Sequence, residues 1–333
     1  MKKLVLMITA LLTSLVMRAA SDVEIDVKIN YDGDKASVSI PEEVRQFVSC
    51  TSDESSHVKI IQTLTDENNP GGWEIRYSLS GTTADGEFYI EGNHKCIIEL
   101  NNLELTNPSG AALNIQNGKR IKIEVKKGTV NSLADGKNKD TDGCIHCEGH
   151  LEFKKTGTLN IVGNSKHAIC SKEYLQITKC IININGAKKD GINCQQYFWL
   201  QETGTINMSG IGDDGIQVKL KDGDDYTGIL PDHEDTELDI DENSGNLYQD
   251  DGTITIGDCE GNVIKTDGKV VVNGGTQNYD ATKVSEDNNA ATGISSLRNN
   301  VISGEAAYDL NGHQLKAQKK GIVIQNGKKV IMK

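Results

Sequence analysis

The sequence has little proline, few aromatic residues and, after its first twenty residues, no long apolar run. Four prolines and 5% aromatic side chains stand against 34 glycines among 333 residues. No later stretch reaches the ~18 apolar residues of a transmembrane helix. Basic stripes are missing too, and the net charge of −13 disfavours nucleic acid and anionic membranes as partners. This composition favours short strands and tight turns over helical bundles or membrane spans.

The first twenty residues have the three parts of a secretory signal peptide. Lys2 and Lys3 give a positive start, the run from Leu4 to Met17 is apolar, and Ala19 precedes a small-residue exit. Such segments are removed on export and take no part in the mature fold. We therefore predict a signal peptide over residues 1–20 and a secreted protein, either extracellular or on the outer cell surface.

An internal repeat follows a single buried aliphatic position. From Ile145 the equivalent residues are Ile169, Ile192 and Ile216, at intervals of 24, 23 and 24 residues. Leu113 and Ile264 extend the series with longer intervals. A fixed period of this length indicates a solenoid whose coils bury their inner faces by stacking.

Two further strands recur in each repeat. One is found in LEF (151–153), LQI (175–177) and FWL (198–200), and the other in TLNI (158–161) and IINI (181–184). Both alternate apolar and polar residues, as half-buried strands do. Three short strands in 23–24 residues leave no room for a helix. The sequence therefore predicts an all-β protein, a right-handed parallel β-helix with its aliphatic ladder at ~4.8 Å spacing.

The pattern divides the mature chain into four parts. Residues 22–75 are predicted to form an N-terminal β-rich cap or small module, and residues 76–280 the β-helix. An acidic segment, residues 221–246, interrupts the helix as an inserted loop. Residues 281–305 form a closing segment and linker, and residues 306–333 a small C-terminal tail.

Several phrases occur in a fixed order along the repeats. They are YSLSG (77–81), IIELNNLELTNPSGAALNI (97–115), GTVNSLADG (128–136), KDGI (189–192) and GDDGI (212–216). With them the chain resembles the extracellular carbohydrate-binding-domain family, whose fold is like that of pectate lyases. The resemblance implies calcium-containing coils and non-catalytic binding of polysaccharides, with polygalacturonate and cellulose as ligands in that family. The tail, residues 306–333, is similar to the short sorting-type tails of type IX secretion.

Carboxylates precede the ladder residue in the repeated turns. Asp190 stands before one ladder residue, and Asp213 and Asp214 before the next. Stacking makes Asp190 and Asp214 neighbours, and two such carboxylates ~5 Å apart repel by about 1 kcal/mol in water and more when half buried. Ca²⁺, which takes six to eight oxygen ligands, would relieve this repulsion. The alternative is that Lys188 and Lys189 neutralise Asp190.

The longer loop before Ile145 offers a second calcium candidate. Asp140 and Asp142 lie two residues apart there, but Glu148 comes one residue too early to be the last ligand of an EF-hand loop. We predict a β-turn calcium site that includes Asp140 and Asp142. The alternative is ordinary Asp-Gly turn chemistry with solvated side chains.

An aromatic column is predicted on the outside of the coils. His150, Tyr174 and Tyr197 occupy equivalent positions on three rungs, and alternation turns Trp199 outward. Aromatic rings with polar tips suit the C–H faces of sugars, so Tyr174, Tyr197 and Trp199 are candidate polysaccharide ligands. The equal alternative is a stacking ladder that stabilises the solenoid.

Cysteine and histidine give weaker signals. Eight cysteines in an exported chain suggest disulfides, but the repeat places Cys147 and Cys194 two rungs apart, beyond disulfide reach. We expect small buried hydrophobes and one disulfide at most. Alternation points Cys147 inward and His146 outward, which argues against a zinc site in CIHC.

Together with what the resemblance implies, these patterns predict a monomeric, non-catalytic, calcium-dependent protein that binds a polysaccharide, with an acidic plant polymer such as polygalacturonate as ligand. One alternative is a pectate-lyase-like lyase or a hydrolase, because Asp213 and Asp214 are paired acids. However, the Gly-His-Gly and Arg-x-Lys elements of a polygalacturonase are missing. The base of a lyase is usually arginine or lysine; arginine is scarce here, but Lys188, Lys189 or Lys219 could serve. A structural surface protein or adhesin is the second alternative.

Overall fold

Short strands that stack in parallel on one another build most of the molecule. The computed structural model describes residues 23–51, 55–137, 140–221 and 243–286, and three strands between residues 307 and 332. The predicted signal peptide, most of the acidic insertion and most of the closing segment lie outside the described residues. Two single-turn 3₁₀ helices, Glu42–Val44 and Ala281–Lys283, are the helical elements of the part that is described.

The strands follow each other at short intervals. The first are β1 (Val23–Asp32), β2 (Lys35–Ser39), β3 (Val48–Cys50), β4 (His57–Gln62), β5 (Trp73–Thr83), β6 (Glu87–Gly92) and β7 (Cys96–Asn107). Next come β8 (Leu113–Gln116), β9 (Ile121–Val125), β10 (Val130–Asp135), β11 (Gly143–Cys147), β12 (Leu151–Lys154), β13 (Thr158–Gly163), β14 (His167–Ser171), β15 (Leu175–Thr178) and β16 (Ile181–Ala187). Then follow β17 (Ile192–Gln195), β18 (Tyr197–Gln201), β19 (Thr205–Met208), β20 (Ile216–Lys219), β21 (Asn246–Gln249), β22 (Thr253–Ile256), β23 (Ile264–Thr266), β24 (Val270–Val272), β25 (Thr276–Asn278) and β26 (Val284–Glu286).

From β8 onward each coil consists of three strands. The first strand of every coil lies in a 10-stranded sheet, and the second and third lie in the two arms of a 16-stranded sheet. The arms meet at the long strand β7, whose first half pairs with β9 and whose second half pairs with β10. The predicted parallel β-helix with three short strands per coil is confirmed.

The aliphatic ladder runs through the core in the predicted register. Leu113, Ile145, Ile169, Ile192, Ile216 and Ile264 pair rung by rung and are fully buried. Phe88 precedes Leu113 in the same column. Stacking of these side chains removes from water the apolar face that one coil could not bury alone.

The N-terminal strands belong to the same two sheets. β1 pairs in parallel with β5, and β4 pairs in parallel with β6. β2 and β3 pair antiparallel with β1 and β4. The sequence predicted a cap over residues 22–75 set apart from a β-helix that begins at residue 76, whereas strands from both sides of that boundary share one core. The antiparallel strands are the capping element, because they end the parallel stack.

A stacked corner joins the second and third strands of each coil. Lys155, Lys179 and Glu202 lie there with positive φ. In the next coil the corner contains Gly252, with φ +79, where an added Cβ would lie 2.2 Å from the carbonyl oxygen of Gly204. The left-handed conformation and the close approach of stacked backbones together favour glycine at that position.

The cysteines are free thiols, and six of the eight are buried. Cys147 and Cys194 belong to the inner core, as the alternation predicted. Among the described residues no helix is long and apolar enough to cross a membrane. At the C-terminal end, β27 (Ala307–Tyr308), β28 (Gly321–Gln325) and β29 (Lys328–Met332) form a separate antiparallel sheet.

Candidate functional site

Three carboxylates converge where two coils enter the 10-stranded sheet. The pairing of Ile192 with Ile216 places the turn before β17 against the turn before β20. As a result, oxygen atoms of Asp190, Asp213 and Asp214 lie within 4.8 Å of one another. Asp190 and Asp214 are buried, whereas Asp213 is exposed. We call these three residues the carboxylate corner.

Hydrogen bonds hold the two buried carboxylates in place. Oδ1 of Asp214 accepts from the backbone N of Asn262 at 2.7 Å and from its Nδ2 at 3.0 Å. Oδ2 of Asp190 accepts from Nδ2 of Asn193 at 2.8 Å, and Oδ1 of Asp190 accepts from the backbone N of Asp214 at 3.2 Å. These contacts fix the directions in which the remaining lone pairs point.

A histidine and a lysine lie beside the corner. Nδ1 of His167 is 3.2 Å from Oδ2 of Asp190, and Nζ of Lys265 is 3.4 Å from Oδ2 of Asp214. Burial acts to raise the pKa of Asp190, but the hydrogen bonds from His167 and Asn193 outweigh it and lower that pKa. By contrast, burial and the charges of Asp190 and Asp214 raise the pKa of Asp213. Around Asp213, burial and the two neighbouring acids outweigh the opposite effect of Lys265 and Lys189.

The donor set of the corner suits a hard divalent cation. All its ligand atoms are carboxylate oxygens, which Ca²⁺ prefers, and they approach closely enough to share one ion. The exposed carboxylate of Asp213 leaves one side open to further oxygen ligands.

Asp142 has a different environment from the one predicted. Its Oδ1 accepts from Nζ of Lys166 at 2.8 Å, and its Oδ2 accepts from Nζ of Lys172 at 2.5 Å. Burial opposes ionisation, yet these two lysines hold the pKa of Asp142 well below its usual range. Two ammonium groups already neutralise Asp142, which disfavours it as a calcium ligand. Asp140 lies exposed in the same loop.

A mixed cluster near Asp142 was not predicted. Asp142, His146 and Cys170 place ligand atoms within 4.8 Å of one another, because His146 and Cys170 pair on adjacent strands. Burial raises the pKa of Cys170 to about 12, and both carboxylate oxygens of Asp142 are bound by lysine. A thiol so far from ionisation and a neutralised carboxylate fit a packed polar contact better than a zinc site.

The aromatic column exists, but its ring faces are covered. His150 stacks on Tyr174 with ring centroids 4.1 Å apart, and Tyr174 stacks on Tyr197 at 4.8 Å. Tyr174, Tyr197 and Trp199 are 3%, 1% and 6% exposed. A sugar needs an open ring face, and here each tyrosine covers the other. This burial favours the alternative, a stacking ladder that stabilises the solenoid, over the predicted platform.

Polar contacts anchor this stack. The hydroxyl of Tyr174 donates to Oε1 of Glu152 at 3.0 Å, and that of Tyr197 accepts from Nε2 of Gln176 at 2.9 Å. Nε1 of Trp199 donates to Oδ2 of Asp250 at 2.8 Å. The polar tips that could have met hydroxyl groups of a glycan are thus used within the protein.

Comparison with known proteins shows the family to which the chain belongs. The sequence profile of the family described as carbohydrate-binding domain-containing protein matches residues 60–333. The chain belongs to this family. A carbohydrate-binding domain-containing protein of Acetivibrio thermocellus is 25% identical over 112 residues, which are 31% of this chain and 39% of that protein. The match thus spans well under half of that relative.

A solved structure supports the fold of this carbohydrate-binding domain. The polysaccharide lyase-like protein from C. thermocellum, described as a gadolinium derivative, superposes with a TM-score of 0.52 at 19% identity. The superposition covers 79% of this chain and all of that protein. At this level of identity the likeness concerns the fold.

The residues that hold the carboxylate corner were missed in the sequence. His167, Asn193 and Asn262 all contact its buried acids. Asn193 follows a ladder residue and His167 precedes one, so both stood at fixed offsets in the repeat. Registering the polar residues of each turn, as well as the acids, would have found them.

Proposed function

We propose that the protein is a secreted, monomeric and non-catalytic polysaccharide binder that uses Ca²⁺ at the carboxylate corner to hold an acidic glycan. Membership of the carbohydrate-binding family supports the coarse function. The convergence of Asp190, Asp213 and Asp214 within 4.8 Å is the observation that supports the role of calcium.

Charge is the physical reason for a bridging cation. The chain has a net charge of −13, and a polymer of uronic acids is an anion at neutral pH. Like charges at contact distance repel, most strongly where the local dielectric is low. A cation bound by the corner would turn this repulsion into attraction, because Ca²⁺ accepts oxygen ligands from two partners at once.

The three acids would have different roles toward the ion. Asp190 and Asp214 are buried and fixed by hydrogen bonds, so they would set its position. Asp213 is exposed and would complete the protein ligands at the surface. The remaining coordination positions would face solvent, where a uronate carboxylate can replace water.

Catalysis is the second candidate, since the solved protein with this fold is described as polysaccharide lyase-like. A lyase needs an uncharged base near its metal to remove a proton. Lys265, which lies next to the corner, is already engaged in an ion pair with Asp214. Release of unsaturated products from polygalacturonate, followed by ultraviolet absorbance, would favour the lyase over the binder.

Affinity electrophoresis through gels containing polygalacturonate tests the proposal. We expect the mature protein to be retarded when Ca²⁺ is present and to migrate freely with chelator. The Asp214→Asn variant keeps an oxygen that can accept from Asn262, yet it should lose retardation. Asp142→Asn is the matched control and should be retarded like the wild type. Equal retardation of wild type and Asp214→Asn would contradict the proposal.

A further inference from the structure

One outer face of the solenoid has two rows of side chains, from β10 to β25, that contain no charged residue; Glu104 on β7 borders the second row beside Ser132. The face consists of the outward positions of β10, β13, β16, β19, β22 and β25, which pair in register. The first row is Val130, Thr158, Ile181, Thr205, Thr253 and Thr276, and the second is Ser132, Asn160, Asn183, Asn207, Thr255 and Asn278. We call these twelve residues the Thr–Asn face.

Charged residues are absent from these two rows but common in the rest of the chain. Charged residues make up 25% of the sequence. On the other arm of the same sheet, the outward positions of β9 and β12 include Lys122, Glu124, Glu152 and Lys154. A surface without charged side chains exerts no strong electrostatic attraction on an ion or an ionic polymer.

Hydrogen bonds between stacked amides lock the second row. Nδ2 of Asn183 donates to Oδ1 of Asn160 at 2.9 Å, and Nδ2 of Asn207 donates to Oδ1 of Asn183 at 2.9 Å. In these bonds Asn183, the middle amide, uses one N–H and one oxygen lone pair, so one of each remains for a partner. These groups are already ordered, so a partner would pay little side-chain entropy to bind them.

Apolar groups lie beside the amides. Val130 and Ile181 are 58% and 39% exposed, and they are two of the four large hydrophobic side chains that are exposed in the described part of the chain. Threonine methyl groups continue the same row. The face therefore alternates between apolar contact and neutral hydrogen bonding, the two interactions that a sugar ring offers through its C–H and hydroxyl groups.

We infer that the Thr–Asn face is a second binding surface, which docks an uncharged, extended polysaccharide without calcium. Six rungs at ~4.8 Å form a regular strip about 24 Å long, and a polymer with a repeating unit can contact such a strip many times. The inference rests on the polysaccharide binding of the proposed function, but not on the carboxylate corner.

Sedimentation with insoluble cellulose and insoluble xylan, in buffer containing chelator, tests the inference. We expect the wild type to sediment with at least one polymer. Thr205→Glu adds a charge in the middle of the face and should weaken binding by ~10-fold or more, because a glycan cannot pair that charge. Asn183→Asp should do the same, as it breaks the amide ladder. Gln201→Glu, on the other arm of the same coil, is the matched control and should bind like the wild type.

Three outcomes would overturn the inference. The first is that the wild type sediments with neither polymer, and the second is that Thr205→Glu and Asn183→Asp bind like Gln201→Glu. The third is that Thr205→Glu converts a wild-type dimer into a monomer in analytical ultracentrifugation, because the face would then join two copies of the chain. None of these results touches calcium-dependent retardation by polygalacturonate, so this failure and that of the proposed function are distinguishable. Melting curves verify that each variant is folded.

Discussion

The carboxylate corner and the Thr–Asn face are two results of the same stacking. A solenoid places the same turn or strand position of successive coils about 4.8 Å apart. A residue type that recurs at such a position therefore lies next to another residue of the same type. An amide both donates and accepts, and Asn160, Asn183 and Asn207 satisfy one another. An ionised carboxylate only accepts, so Asp190 and Asp214 need donors or a cation from elsewhere. Repetition of an acid therefore favours an ion site, and repetition of an amide gives a neutral strip.

The largest effect is expected from the inner ladder, on which both surfaces depend. Ile192 is fully buried between Ile169 and Ile216. Ile192→Ala removes buried methyl groups and leaves a cavity, so it should lower the free energy of unfolding by about 2–5 kcal/mol. Chemical denaturation measures the change. A loss below 1 kcal/mol would mean that the coils tolerate cavities and that register is set elsewhere.

Loss of an asparagine side chain at the carboxylate corner should weaken calcium binding more than loss of one on the Thr–Asn face. Asn193 holds Oδ2 of Asp190 at 2.8 Å, so Asn193→Ala should weaken calcium binding by ~10–100-fold, as loss of an outer contact of a metal ligand does. Asn183→Ala makes the same substitution on the Thr–Asn face and should leave calcium affinity unchanged. Calcium titration of both variants compares them directly. Equal affinities would remove the distinction between the two regions.

The buried aromatic stack should act on stability and not on glycan binding. Tyr174→Phe removes the hydroxyl that donates to Glu152 at 3.0 Å but keeps the stacked ring. We expect a loss of about 1–3 kcal/mol in the free energy of unfolding, because a buried acceptor on Glu152 loses its donor. Retardation by polygalacturonate should stay at the wild-type level. Weaker retardation with unchanged stability would instead indicate that Tyr174 takes part in glycan binding.

The smallest effect is expected in the pH dependence of calcium binding at the carboxylate corner. Burial and two neighbouring carboxylates raise the pKa of Asp213, so protons compete with Ca²⁺ at a higher pH than at an ordinary aspartate of pKa ~3.9. Calcium affinity should fall as pH falls into that raised range. Asp213→Asn has no proton to bind there and should flatten this part of the curve. Binding to cellulose or xylan through the Thr–Asn face should not change over the same range.

The fold could be predicted from the sequence because its main determinant is periodic. The ladder from Ile145 to Ile216 recurs at 23 or 24 residues, and the observed pairs are those of that register. The proximity of Asp190 to Asp214 follows from the same register. That β1 and β4 join the two sheets of the β-helix did not follow, because β1 and β5, at 10 and 11 residues, are too long to match the later three-strand repeat.

The repeat did not predict which side chains contact each other. Spacing showed that Asp142 precedes a ladder residue, but not that Lys166 and Lys172 reach it from the next coil. Likewise, register showed that Tyr174 and Tyr197 stack, but not that stacking covers both ring faces. The asparagine ladder was present in TLNI, IINI and TINM. It went unrecognised because polar outward residues are ordinary in half-buried strands.

Calorimetric titration of Ca²⁺ into the mature protein, the Asp214→Asn variant and the Asp142→Asn control tests the central claim most directly. The account predicts that Asp214→Asn binds one calcium ion fewer than the wild type, or binds it more than ~100-fold more weakly, while Asp142→Asn matches the wild type. Unchanged stoichiometry and affinity in Asp214→Asn would contradict the assignment of calcium to the carboxylate corner.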